Sequence, residues 1–299
     1  MEFFDTAFKD YKFEDKVKYG KLHRKVGTFD DSIYMSNFDT ILKPRINISN
    51  EDTYERDLSL RKILSSYFPT LSPQDYLFSP ISVGIKLLIM IRSEYINYNR
   101  YTLTKIFRSK LFDLSPSLSY LDWRFKLYKG GEQEDTKSYN IIHCMNMLKE
   151  YKVPDEKNCS LLSDSEDPNL DAFYYARKTS SFIIFKILKE NINFKTFKWL
   201  LRHGYPIYCS IVIFKSSICK ENYIFGCYNY PIDASPENIF GSQPIIITGY
   251  NLNTKTFYIM STVSNVWGDY GHGVIPVEYV LNPEFCGDFW TLTYDQYFT

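Results

Sequence analysis

The residues of this chain best suited to catalysis or metal binding are its four histidines and six cysteines. A thiolate beside an imidazole serves nucleophilic catalysis, and a Cys/His cluster holds zinc. We expect neither a metal site nor a cofactor, because the cysteines form no CxxC pair and show no Cys/His ligand spacing. We expect reduced thiols and a non-secreted protein, because the charged start MEFFDTAFKDYKFEDK contains no apolar signal core. The cysteines are Cys144, Cys159, Cys209, Cys219, Cys227 and Cys286.

Three local clusters could do chemistry, and for each a structural role is favoured. His143 and Cys144 are adjacent, but successive helix residues point about 100° apart, which predicts His143 at a surface and Cys144 in the core. His272, in the turn GDYGHG, could serve as a replacement base, although a surface position in a turn is favoured. The acidic run SDSEDPN is interpreted as a solvated loop; calcium binding is the weaker alternative, because no loop-ligand spacing fits.

Charge and hydropathy argue against two classes of partner. The chain carries 35 basic and 35 acidic side chains, so there is no overall basic excess to follow a phosphate backbone, and only a local patch remains possible. The longest apolar runs, ISVGIKLLIMI with Lys86 inside it and PIYCSIVIF, are shorter than the roughly 20 residues of a membrane helix. We therefore expect neither nucleic-acid binding nor a membrane span.

Aromatic residues are abundant, with 26 Tyr and 23 Phe. Tyrosine offers a rigid contact area with a polar tip, which favours a protein that docks on other proteins. Codon bias in an AT-rich genome would raise Tyr and Phe in the same way, and composition does not separate the two interpretations.

Helical patterns precede strand patterns along the chain. We predict an extended arm over residues 1–65, a mainly helical region over 66–204 and a mainly β region over 205–299. Ser79 is a good N-cap with Pro80 at the first helical position. A helix is predicted over FKTFKWLLRHG, ending at Gly204 as a fitting C′ residue. Short helices are also predicted over DLSLRKILSSYF, SYNIIHCMNMLKEY and LDAFYYARK. Strands are predicted over PIYCSIVIF, NYIFGCY, QPIIITGYN, TKTFYIMSTV, HGVIPVEYVL and DFWTLTY. Such segregated layers indicate an α+β fold.

A series of motifs runs through the β half in a fixed order: GSQPIIITGYN, TFYIMST and WGDYGHGVIPVEYV. It resembles the C-terminal half of the papain-like C1 cysteine peptidases, especially bacterial and viral members. In that family a Gly-x-His-Ala stretch begins a strand ending in Val-Gly-Tyr, and Asn-Ser-Trp-Gly precedes Trp-Gly-x-x-Gly and a strand with Ile-Pro. The matching positions are Gly249-Tyr250, Trp267-Gly268, Gly271 and Ile275-Pro276.

The helical half resembles the same family from about residue 66. Phe78 to Gly84 occupy the frame in which the family opens its central helix with Gly-Ser-Cys. The resemblance implies a papain-like fold, with a helical left subdomain and an antiparallel β-barrel-like right subdomain around a cleft. It also implies that Trp267 packs at the cleft wall.

The resemblance carries the family's catalytic positions onto four residues of this chain. Gln74 matches the oxyanion glutamine and is interpreted as a polar group satisfied in the cleft. The nucleophile position falls on Pro80, the histidine position on Gln243 and the orienting asparagine position on Ser261. Proline has no sulfur and a carboxamide takes up no proton near neutral pH, so these residues do not supply the family's triad. The nearby hydroxyls are Ser79 and Ser82.

These substitutions predict that the chain is not an enzyme and has no catalytic residues. The favoured hypothesis is a catalytically inactive papain-fold protein that binds other proteins. A virion-associated or minor capsid role, in the virion or the host cytoplasm, is one such function. Two alternatives stay open: an active hydrolase with a rearranged site using Ser79 or Ser82, and a peptide-binding pseudopeptidase with an open groove.

Overall fold

The computed structural model describes residues 56–104, 114–128, 141–159, 168 and 170–295. The helices are α1 (Leu60–Leu64), α2 (Pro80–Thr104), α3 (Leu118–Tyr128), α4 (Ile141–Glu150), α5 (Leu170–Lys178), α6 (Phe194–Arg202), α7 (Lys220–Phe225) and α8 (Val277–Leu281). The strands are β1 (Leu58–Ser59), β2 (Phe182–Lys186), β3 (Ile207–Phe214), β4 (Ile239–Asn251), β5 (Thr256–Ser261), β6 (His272–Pro276) and β7 (Cys286–Tyr294).

The strands form one sheet in the order β2-β7-β3-β4-β5-β6, and β1 pairs with β4 beside that path. Every pairing between these named strands is antiparallel. The central strand β3 reads IYCSIVIF and is buried along almost its whole length, as the continuous apolar run predicts. Helices followed by an antiparallel sheet confirm the predicted α+β class.

Helix α2 is the central helix and packs against β3, β4 and β7. It begins where the sequence predicts: the Ser79 carbonyl accepts the Val83 N–H at 3.0 Å, and Pro80 is the first helical residue. Gly84 permits close packing, because a Cβ there would lie 2.8 Å from the ring of Tyr208 in β3. The start of α2 is thereby held close to the sheet.

A buried arginine on α2 stabilises the C-terminal end of α6. Arg92 donates to the carbonyl oxygens of His203 at 2.7 Å and Gly204 at 3.1 Å, and its guanidinium lies 3.7 Å from the ring centroid of Tyr205. A positive charge at a helix C-terminus complements the helix dipole. Gly204 has a φ of 70°, as expected for the residue that ends a helix.

The predicted strand HGVIPVEYVL is wrong in its second half, since Val277–Leu281 is helix α8. Two further segments differ from the sequence-based prediction throughout. NYIFGCY was predicted as a strand, and this is wrong: Lys220–Phe225 is helical, with the Cys219 sulfur accepting the Asn222 N–H and Gly226 in the left-handed region at its end. Residues Phe182–Lys186, within the region predicted as mainly helical, form strand β2 on β7. Caps and a distant partner strand override the local pattern in both places.

Part of the predicted N-terminal arm is described, and it lies on the sheet. Leu58 and Ser59 pair with Tyr250 and Gly249, and Leu60 is buried. Residues 1–55 lie outside the described part of the chain. Among the helices of the described ranges, none has the length and apolar character to cross a bilayer.

Candidate functional site at the start of the central helix

Gln74, the residue at the family's oxyanion position, lies on a one-turn 3-10 helix, Pro73–Leu77. Its neighbour Asp75 accepts the Ser72 N–H at 2.6 Å and the Ser72 hydroxyl at 2.9 Å, which closes a capping box. Gln74 itself is exposed. The interpretation of Gln74 as a polar group satisfied in the cleft stays a prediction.

A buried lysine ties this turn to the central helix. Lys86 of α2, whose side chain is 5% exposed, lies 2.8 Å from the Asp75 carboxylate and 3.2 Å from that of Glu156. Glu156 also accepts the N–H of Leu118 at the start of α3, at 3.2 Å. Lys86 thus joins three segments, and a buried charge that interrupts an apolar run is explained by its two partners.

The start of α2 is occupied by a carboxylate from the neighbouring helix. Asp122 of α3 accepts the backbone N–H of Ser79 at 3.2 Å and, through its other oxygen, a short hydrogen bond from the Ser82 hydroxyl. The positive end of the helix dipole therefore faces an internal anion. Asp122 was not predicted as a site residue, and its only signal in the sequence is an acidic residue within the apolar stretch LSYLDWRF.

Of the two hydroxyls near Pro80, only one is accessible. Ser82 is fully buried and bound to Asp122, whereas Ser79 is half-buried. Phe78, just before them, is partly buried and packs against the core.

Gln243, at the family's histidine position, is buried on β4 and donates a short hydrogen bond to the hydroxyl of Tyr228. The Tyr228 ring stacks on Trp267, with centroids 5.1 Å apart and planes at 29°. Burial raises the pKa of Tyr228, and the hydrogen bond from Gln243 opposes this only in part. Trp267 is buried, and its predicted place at the wall of a cleft stays a prediction.

Ser261, at the orienting position, ends β5 and is buried opposite Ile245 of β4. Its N–H donates to the Gly271 carbonyl at 2.7 Å, and its hydroxyl accepts the Val263 N–H at 3.3 Å. Ser261 therefore stabilises the turn that follows β5.

Contacts between neighbouring residues bring the Pro80, Gln243 and Ser261 segments together. A Cβ on Gly84, one turn after Pro80, would lie 3.4 Å from the methyl group of Thr262. The Thr262 hydroxyl donates to the Pro244 carbonyl at 2.7 Å. Tyr76, on the Gln74 turn, reaches the same area, since its hydroxyl would lie 3.4 Å from a Cβ on Gly271. The fold therefore assembles the frame of the site.

His272 is half-buried at the start of β6, near Arg61 of the predicted arm. Its ring is 5.4 Å from that of Phe68, with Arg61 and Asp269 nearby. Burial, aided by the Arg61 charge and opposed by Asp269, lowers the pKa of His272 to about 4. The imidazole is therefore neutral at pH 7.

The remaining candidates are structural where they are described. His143 is exposed and Cys144 is buried, as predicted, and burial and then the Asp122 charge raise the pKa of Cys144. All six cysteines are unpaired thiols. No metal-binding group of His, Cys, Asp and Glu is found in the described ranges, and most of the acidic run 163–169 lies outside them.

Comparison with known proteins gives one sequence match and several fold matches, while no family model matches the chain. An uncharacterised peptidase C1-like protein of Acanthamoeba polyphaga mimivirus is 30% identical over 95 residues, which is 32% of this chain. The chain covers only 30% of that protein's length.

Two solved structures show the nature of the fold match. Xylellain, a cysteine protease from Xylella fastidiosa, matches with a TM-score of 0.53 and 16% identity, over 69% of this chain and 78% of the protease. Procathepsin B from Trypanosoma congolense matches with a TM-score of 0.49 and 14% identity, over 80% of this chain and 77% of that one. At 16% identity the xylellain match shows the fold alone, which is papain-like.

The prediction that the chain is not an enzyme is contradicted by these matches, because the viral relative is named a peptidase and xylellain is a cysteine protease. That prediction inferred the activity of the whole protein from three residues that the resemblance assigns to catalytic positions. The assignment of the family's catalytic positions to Pro80, Gln243 and Ser261 stays a prediction, and it would exclude only the family's own mechanism. The predicted resemblance is confirmed: 95 residues match a viral protein named peptidase C1-like, and the chain has a papain-like fold.

Proposed function

We propose that the chain binds peptide or protein segments in the cleft of its papain-like fold, with Gln74 as a contact residue. The observation that carries this proposal is an exposed carboxamide on a turn held by a capping box and by the Asp75–Lys86 ion pair. A carboxamide offers both donors and acceptors to a peptide backbone. Because the turn is already fixed, little conformational entropy is lost on binding.

Hydrolysis of the bound segment is the second candidate, supported by the names of the relatives. Pro80 offers no thiol and Gln243 is bound to Tyr228, so hydrolysis at this site would use a rearranged set of groups. Ser79 is the more accessible hydroxyl, since Ser82 is fully buried.

One experiment separates binding from hydrolysis. A fluorescent pool of denatured-protein peptides is titrated with the full chain, and the same samples are analysed for cleavage products. We expect Gln74→Ala to weaken binding about tenfold, the effect of losing one or two hydrogen bonds, without changing the melting temperature. Glu190→Ala, an exposed change on another 3-10 helix, is the control. Equal affinity of the Gln74 variant and the wild type would refute the proposal.

Cleavage products in that assay would favour the hydrolase. Labelling by a fluorophosphonate that is lost in Ser79→Ala would then identify the nucleophile. An epoxide probe serves as a second label for any reactive thiol.

For the bound partner, we propose other proteins of a virus particle, with the chain in the virion or the host cytoplasm. The viral relative supports this placement. Mass spectrometry of purified particles tests it, and intact particles lacking this chain would count against it.

A further inference from the structure

An exposed apolar surface lies beside the Trp267 turn. It consists of Ile224, Phe225, Val266 and Tyr270, and is called the Phe225 surface below. Their exposed fractions are 42%, 71%, 55% and 78%. Large apolar side chains exposed together mark interaction sites more often than isolated ones do.

These residues form one area because their two segments are in direct contact. The Gly268 N–H, between Val266 and Tyr270, donates to the Tyr223 carbonyl of α7 at 2.8 Å. A Cβ on Gly226, directly after Phe225, would lie only 2.8 Å from the Gly268 Cα.

The base of this surface is rigid. The Trp267 ring lies beneath it and stacks on Tyr228, and a Cβ on Gly273 would collide with the same ring. Side chains on a fixed base lose little freedom when a partner covers them, so exposed rings here suit stable binding.

Charges of both signs border the Phe225 surface. Lys220 and Glu221 are exposed at the start of α7. Arg61 and Asp269 form an ion pair of 2.6 Å, with side chains 39% and 66% exposed. Since both signs of charge are present, a second copy related by a twofold axis can place each sign opposite its counterpart.

The overall charge also permits self-association. With 35 basic and 35 acidic residues the chain has zero formal net charge, so two copies experience no net repulsion. We propose that the Phe225 surface is the interface of a twofold dimer of this chain. The second copy then borders the candidate site, because Trp267, which follows Val266 of this surface, stacks on Tyr228.

Sedimentation equilibrium of the full chain across the micromolar range tests the dimer. We expect a reversible dimer that persists at high salt, because its centre is apolar. Phe225→Ser should weaken the dimer by more than about tenfold, the usual loss for a central aromatic residue, and Phe225→Leu should restore much of it. Leu170→Ser, which removes a side chain 86% exposed on α5, is the matched control and should leave the dimer unchanged.

Two results would overturn the proposal. One is a monomer at every concentration, including the case in which residues 1–55 or another protein cover the surface. The other is a dimer unaffected by Phe225→Ser. Melting temperatures of all variants show that they remain folded.

Discussion

The helical side of the candidate site is held mainly by charge, whereas its sheet side is held mainly by stacked rings and close glycine contacts. On the helical side, Lys86 pairs with Asp75 and Glu156, and Asp122 faces the start of α2. On the sheet side, Tyr228 stacks on Trp267. The two sides of one site therefore differ in their response to pH, because ionic contacts depend on the charge of their partners and packing does not. Salt weakens the buried ionic contacts only slightly.

The largest effect is expected for Lys86→Ala, on the helical side. It leaves the Asp75 carboxylate, 14% exposed, without its cation, and we expect the free energy of unfolding to fall by about 3–5 kcal/mol. Urea unfolding measures this. Lys157→Ala, whose 72% exposed side chain lies 4.0 Å from Asp155, should change stability by less than about 0.5 kcal/mol. Similar losses in the two variants would disprove a buried ionic wall.

Gly273→Ala tests the sheet side. We expect it to lower the free energy of unfolding by about 3 kcal/mol, the upper range for overpacking. Its Cβ would meet both the Gly226 carbonyl oxygen and the Trp267 ring. Because the clash is steric, the loss should be equal at low and high salt. A strong salt dependence would show that the two walls do not differ as described.

The pH dependence of stability sharpens the comparison at His272. Its pKa is about 4 in the folded chain and 6.5 ordinarily, so the unfolded state binds the extra proton first. The contribution is present above pH 6.5 and is lost as the pH falls toward 4, by about 2 kcal/mol after allowing for the exposed part of the ring. The measurement is the free energy of unfolding at several pH values between 4 and 6.5. We expect it to change less with pH in His272→Gln than in the wild type; an equal change would show that other groups cause the loss.

The smallest effect is expected for Asp122→Asn. The asparagine amide keeps the shape of the aspartate side chain and some of its hydrogen bonding, but not its negative charge at the start of α2. We expect the free energy of unfolding to fall by about 1 kcal/mol, and by more at low salt. Asp171→Asn, at the exposed first turn of α5, should cost less. A larger loss in Asp171→Asn would mean that Asp122 does not stabilise the helix dipole.

Local signals explain how much of the fold could be predicted from sequence. Ser79 and Pro80 specify the start of α2, and the continuous apolar run of β3 specifies a buried strand, because caps and periodicity act over a few residues. The prediction of a strand over NYIFGCY was wrong because it relied on the β-rich composition and overlooked the helix caps at Cys219 and Gly226.

The candidate site was predicted less completely than the fold. Motif order located Pro80, Gln243 and Ser261 but gave no information on their partners. Tyr228 is 15 residues from Gln243, and Asp122 is 40 residues from Ser82. Predicting the protein's activity from the replaced residues alone also failed, since the matches are to peptidases.

The sequence by itself determined the α+β class, the central helix and the papain-like motif order, because these depend on neighbouring residues. Only the tertiary structure decided that Asp122 faces the helix start, that Lys86 is buried between two carboxylates, and that Gln243 is bound to Tyr228. Each of these contacts joins residues far apart in the chain, and which of the many charged and polar side chains meet is fixed only when the helices pack against the sheet.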